Sequence, residues 1–164
     1  MTDQTANDDA TLRRVCRLPG GVGRIAASLE ALNRAGLPAV PHIVCGLDRG
    51  RIVGERRAID MLTRFDVQQL VFVVLMPLRG TRSANTRPPA AEEVAELIAE
   101  ARLRLTRTRL ALGCARPRGD RRLEKLAIDA GINRLALPSD AAIAHARPRG
   151  LDISYQLTCC SVAQ

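Results

Sequence analysis

The run from Arg109 to Asp120, Arg-Leu-Ala-Leu-Gly-Cys-Ala-Arg-Pro-Arg-Gly-Asp, gathers reactive and recognition groups into a small space. An apolar strand stops abruptly, and a thiol, two guanidinium groups, a proline and two glycines follow. A thiolate becomes a nucleophile or a metal ligand where nearby positive charge lowers its pKa. Arg116 and Arg118 stand beside Cys114 in sequence and supply such charge. Cys159 and Cys160, followed by Ser161, close the last apolar-periodic segment. In parallel α/β proteins ligands gather at the carboxyl ends of strands, so Cys114, Cys159 and Cys160 are expected on one face. Three converging thiols have the donor chemistry of an iron–sulfur site. Free cysteine is also among the most buried residue types, and no CxxC-type spacing joins these thiols. Both readings stand. Cys114 as the nucleophile of a hydrolase or transferase needs a positioned base, and neither His42 nor His145 has a spacing that provides one.

Two further strand ends carry the same mixture. Pro41-His42-Ile43-Val44-Cys45-Gly46-Leu47-Asp48-Arg49-Gly50 leads into Gly54-Glu55. Its glycines permit a tight strand-to-helix turn whose backbone donors can face an anion or cofactor. Glu55 also suits the first turn of the following helix, and His42 reads equally as a packed core histidine. Met76-Pro77-Leu78-Arg79-Gly80-Thr81 ends the most hydrophobic strand, where Pro77 lacks the N–H that pairing needs. Arg79, Thr81 and Arg116 are the candidates for a carboxylate or phosphate; a solvated turn is the alternative for the first two.

The elements that must position these residues alternate in period. Val22, Ile25, Ala26, Leu29 and Leu32 form a helical stripe closed by Gly36. A strand follows at 39–45, a helix around Ala58, Ile59, Leu62 and Phe65, and an apolar strand at 70–75. The helix at 92–105 places Glu92, Glu93 and Glu96 where its dipole favours them. Strands at 110–112, 133–137 and 151–157 alternate with helices around 123–130 and 140–146. This rhythm predicts an α/β domain with a parallel five-stranded sheet. Residues 1–21 read as a polar N-terminal segment, in part without fixed structure, and residues 22–164 as one domain. An open sheet and part of a (β/α) barrel both fit, because five strands do not close an eight-stranded barrel.

Composition narrows the functional classes. The 164 residues allow a substantial core, and no apolar run is long enough to span a bilayer. The first residues are polar and acidic, unlike a secretory signal, so a cytoplasmic protein is the default expectation. The net charge is +8; Lys125 is the only lysine, so 24 of the 25 cationic residues are arginines. Aromatic residues are only 2%, which leaves few base-stacking platforms and disfavours nucleic acid as a partner. Five cysteines, an odd number, disfavour a disulfide framework.

Taken together, the 41–55 stretch, Val73 to Thr81, Leu112 to Gly119, Ala130-Gly131-Ile132-Asn133, Pro138-Ser139 and Cys159-Cys160-Ser161 resemble radical S-adenosylmethionine proteins of the biotin synthase and lipoyl synthase type. The resemblance runs from about Leu29 onward. It implies a partial (β/α) barrel, corresponding to strands four to eight of the family's barrel, and radical sulfur insertion or related C–H functionalisation. It also implies S-adenosylmethionine at Gly46, Asp48, Gly50, Gly54 and Glu55, substrate or anion contacts at His42, Arg79, Thr81 and Arg116, and an auxiliary iron–sulfur cluster at Cys114, Cys159 and Cys160. The family's CxxxCxxC motif is absent from this chain, so the chain is expected to be inactive alone. The expected partner is a separate N-terminal half or a second copy, meeting a cut edge at 39–45 while 71–75 lies centrally.

Overall fold

The computed structural model describes residues 8–117, 119–160 and 162. Four strands form one sheet: β1 (His42–Cys45), β2 (Gln69–Val74), β3 (Arg109–Leu112) and β4 (Arg134–Leu135). Their spatial order follows the chain, and every neighbouring pair is parallel. The helices between them are α2 (Gly21–Arg34), preceding β1, then α3 (Glu55–Leu62), α4 (Ala91–Arg104), α5 (Arg121–Asp129) and α6 (Asp140–Ala146). The fold is α/β, with helices alternating with a parallel sheet.

The two-residue period of the strands decides which face is covered. Ile43 and Cys45, Leu70, Phe72 and Val74, and Leu110 and Leu112 point into the main core. There they meet Leu29 of α2, Ile59 and Leu62 of α3, Val94, Leu97 and Ile98 of α4, and Leu123 and Ala127 of α5. The spacing of these helical residues is the 3.6-residue stripe of a helix packed on one side. The charge pattern agrees, since α4 opens on Glu92 and Glu93 and closes on Arg102 and Arg104. Side chains on the opposite sheet face form a smaller cluster of Val40, Val71 and Ala111, against which Val73 and Cys160 pack.

The edges follow the expectation: β1 is at one border and β2 lies inside. Strand lengths do not. Pairing begins at His42 rather than at residue 39, because Pro41 has no N–H; its carbonyl still accepts from Val71 N–H at 3.0 Å, and Ala39 makes only an isolated bridge to Val67.

The predicted fifth strand is not present. Residues 151–157 alternate apolar and polar groups, but none is in a strand, and Leu151, Tyr155 and Leu157 are exposed. The edge they would join is too short to be a template. β4 has two residues, and Leu137, at φ 48°, turns the chain away just before Pro138. The sheet is therefore four-stranded, not five-stranded.

Part of the N-terminal segment has defined structure. Residues 1–7 lie outside the description, but α1 (Asp9–Thr11) runs into a π-helical turn, Leu12–Cys16. Asp8 caps it by accepting Thr11 N–H at 3.0 Å, and Leu12 is fully buried. No helix among the described residues is long and apolar enough to cross a membrane.

The contrast between sheet and tail is measurable. Phe72→Ala, which empties a fully enclosed site, should lower the unfolding free energy by about 3–5 kcal/mol. Leu157→Ser should change it by less than about 0.5 kcal/mol, as for an exposed position. Urea denaturation measures both, and a large loss at Leu157 would restore residues 151–157 to the sheet.

Candidate functional site

The loops after β1, β2 and β3 hold most of the residues singled out by sequence. After β1, Gly46 and Gly50 take φ values of 79° and 82°. The turn they make closes with Gly50 N–H donating to the Gly46 carbonyl at 2.8 Å. Glu55 is buried and turns back into this loop. Its carboxylate accepts from the N–H groups of Gly46 at 2.9 Å, Val53 at 2.8 Å and Gly54 at 3.0 Å. The donors that could have faced a cofactor therefore hold a carboxylate of the same chain. Asp48 is also buried and accepts from Arg14 and, at 2.6 Å, from Arg51. The loop packs on the one after β2: a Cβ at Gly46 would approach Pro89 Cδ to 2.5 Å, and one at Gly50 would run into the Arg87 carbonyl. These glycines serve close loop-to-loop packing.

Arg79 and Thr81 lie in an exposed turn after β2. Thr81 Oγ1 donates to the Leu78 carbonyl at 2.7 Å, and Gly80 has φ 79° with open space around it. His42 is half-buried on the sheet face away from the helices, with Nδ1 3.1 Å from the Val40 carbonyl.

Arg116 is almost wholly buried and points inward. Its guanidinium donates to the Gly113 carbonyl at 2.6 Å, to Glu124 Oε1 at 2.5 Å and to the Leu137 carbonyl at 3.2 Å. Glu124 Oε2 accepts from the Ser139 hydroxyl and, at 3.1 Å, from Ser139 N–H. Burial alone would raise the Glu124 carboxyl, but the hydrogen bonds from Arg116 and Ser139 outweigh it and hold the group below its ordinary value of 4.5. The anion met by Arg116 is thus Glu124. Arg118, the other expected neighbour of the Cys114 thiol, lies outside the described residues, as does Ser161.

The thiols separate into two environments. Cys45 belongs to the main core, where burial and then the nearby Glu55 charge push its thiol far up. Cys114 and Cys159 are exposed and Cys160 is partly buried. The structure brings these three together on the helix-free face. Cys160 packs on Val40, Val71 and Ala111, and the Cys114 backbone and the thiols of Cys114 and Cys159 are neighbours of its thiol. Among the described residues, however, no group of three or more His, Cys, Asp or Glu side chains is disposed to hold a metal ion. The three thiols as arranged do not fit the auxiliary cluster implied by the resemblance.

Sequence reading missed the groups that fasten the tail over this face. Gln69 donates to the Cys160 carbonyl, and Arg134 donates to Gln69 Oε1 at 3.0 Å, to the Val162 carbonyl at 2.7 Å and to Gln156. A polar residue opening an otherwise apolar strand was the available signal. Two open clefts, of about 500 and 680 Å³, lie elsewhere, the first at the amino ends of β2 and β3 beside Arg104, Arg107 and Arg109, the second between α2 and Arg64. His145 Nε2 lies 3.0 Å from the Asp129 carboxylate.

No protein-family model matches this chain, and neither does any curated protein.

Two predictions follow from the locked loops. Gly50→Ala combines left-handed backbone with a carbonyl collision, and should cost about 3 kcal/mol. Gly80→Ala has the same backbone but open space, and should cost about 1 kcal/mol; equal losses in urea denaturation would remove the loop-packing explanation.

Arg116→Ala leaves Glu124 buried without its cation and should cost about 3–5 kcal/mol at neutral pH. Because the folded pKa of Glu124 is depressed, the pair's contribution is complete above the unfolded value and disappears as pH falls through the folded one. The variant should accordingly lose less stability than the wild type on acidification. A parallel acid limb in the two proteins would show that Glu124 does not carry this dependence.

Proposed function

We propose that this chain supplies the substrate-side portion of a partial (β/α) barrel of the radical S-adenosylmethionine type, similar to biotin and lipoyl synthases. The observation that carries this reading is the strand order. Successive parallel strands are neighbours in chain order, with helices packed on one face only, as successive units of a barrel are arranged. The strand-end loops at Gly46–Glu55, Arg79–Thr81 and Cys114–Arg116 all open at the carboxyl end, where barrel chemistry takes place. The parent reaction is radical sulfur insertion or a related C–H functionalisation.

The division of labour follows from what is present. S-adenosylmethionine bound to an open-sited iron cluster supplies the radical in such enzymes, and this chain has no CxxxCxxC loop. A separate polypeptide with that loop is the partner in this reading, docking at the β1 edge, which has no strand beyond it among the described residues. Glu55, Asp48 and Arg116 shape the loops. Arg79, Thr81 and Cys114 are the exposed groups left to meet a ligand. A second reading, a non-catalytic α/β domain for small molecules or anions, is favoured by one feature: the chain's own tail covers the helix-free face.

The two readings part in a reconstitution experiment. The purified chain, treated anaerobically with iron, sulfide, reductant and S-adenosylmethionine, should release no 5′-deoxyadenosine. It should self-associate, or co-purify with a CxxxCxxC polypeptide encoded immediately upstream, and the pair should restore cleavage. A well-behaved monomer with no such neighbouring frame would favour the binding domain, and cleavage by the chain alone would overturn the barrel-portion reading.

A further inference from the structure

We propose that Cys114 and Cys160 are a reversible modification site, oxidised to a disulfide by a small-molecule disulfide of the glutathione type, and that this bond fastens the C-terminal tail across the helix-free face of the sheet. The inference does not depend on the barrel reading. It begins where the metal-cluster expectation ends, with three neighbouring thiols that lack the disposition of a metal site.

The two cysteines share one floor. Gly113, next to Cys114, sits so close to the sheet that a Cβ there would lie 2.7 Å from Val73 Cγ1 and 2.9 Å from Val71 Cγ1. Cys160 packs on the same patch, against Val71 and Ala111 with Val73 beside it. Its carbonyl is held by Gln69, which fixes the tail at this point rather than leaving it to wander. The Cys114 backbone and thiol both neighbour the Cys160 thiol closely enough to shift its titration, so the two residues meet on this floor. Cys159 is also near, but a bond between adjacent cysteines closes a strained small ring. The turn there is already closed by Val162 N–H on the Cys159 carbonyl at 3.1 Å.

Exposure assigns the order of events. Cys114 is open to solvent, whereas Cys160 is partly covered. Burial pushes the Cys160 thiol up, the Cys114 backbone draws it down, and the adjoining Cys114 and Cys159 thiols push it up again. The exposed Cys114 thiolate attacks one sulfur of glutathione disulfide, forming a mixed disulfide and expelling one glutathione thiolate. Cys160 then loses its proton to water, and its thiolate attacks Cys114 Sγ and expels the second glutathione. Two protein thiols are oxidised, one external disulfide is reduced to two thiols, and a dithiol reductant reverses the exchange. Cys45, enclosed on the opposite face of the sheet, takes no part.

The test uses the wild-type chain equilibrated in glutathione buffers of graded ratio, followed by alkylation and non-reducing peptide mapping. The expected product is an intramolecular Cys114–Cys160 link, with a mass lower by two hydrogens. Chymotryptic cleavage after Tyr155 should slow at least tenfold in the oxidised protein, and return to its starting rate on reduction. Cys159→Ser should retain both effects, and Cys114→Ser should lose both. A Cys159–Cys160 link, an intermolecular link, no link at any ratio, or a link that leaves Tyr155 cleavage unchanged would each overturn the proposal.

Discussion

A guanidinium enclosed between strand ends governs the loops at the carboxyl ends of β3 and β4. Arg116 cannot be buried without partners, because an uncompensated interior charge costs several kcal/mol. Its partners come from the end of β3, from α5 and from the end of β4. Glu124 then passes the constraint to Ser139, which caps α6 by accepting Ala142 N–H at 3.2 Å. Two consecutive strand-to-helix loops are therefore set by one ion pair. A buried pair of this kind adds little stability over an apolar replacement of the same shape. What it contributes here is one geometry for the loops.

The same principle acts at β1 with the charges reversed. There a buried carboxylate, Glu55, gathers three backbone donors of a glycine-rich turn, and a second, Asp48, gathers two arginines. A turn of this composition binds external anions when nothing internal fills it. In this chain the filling group is built in. On the proposed reading, ligand recognition falls to the exposed Arg79–Thr81 turn and the Cys114 region rather than to the turn glycines.

Much of the architecture was legible because it rests on periodicity. The alternating runs at β1, β2 and β3 and the stripe Val94, Leu97, Ile98 and Ala101 follow from which atoms must leave water. The failure at residues 151–157 has an equally local cause. Alternation marks a segment with two unlike sides, but a strand also needs a neighbour with free backbone groups, and Leu137 and Pro138 remove that neighbour. Site residues were legible as types, not as directions. Arg116 was singled out for an external carboxylate or phosphate, whereas the carboxylate it meets, Glu124, stands on the inner face of a helix eight residues later. Nothing in the local sequence shows that the two meet. Gln69 and Arg134 were passed over for a related reason, since a tail contact across 91 positions leaves no periodic trace.

The position of the tail bears on the proposed partnership. Val40, Val71 and Ala111 form an apolar patch on which no helix among the described residues packs, and such a patch needs an occupant. The tail fills this role from within the chain, so its effective concentration is set by the short connection after α6 and not by supply. Strands contributed by another polypeptide to complete a barrel would enclose the same face. On the proposed reading the two occupants compete, and their binding is linked: any interaction that fastens the tail weakens the partner by the same free energy. Arg134, which holds Gln69 and the tail together, and Cys160, which rests on Val71, are then the residues through which the chain's own terminus sets how readily its incomplete side is filled.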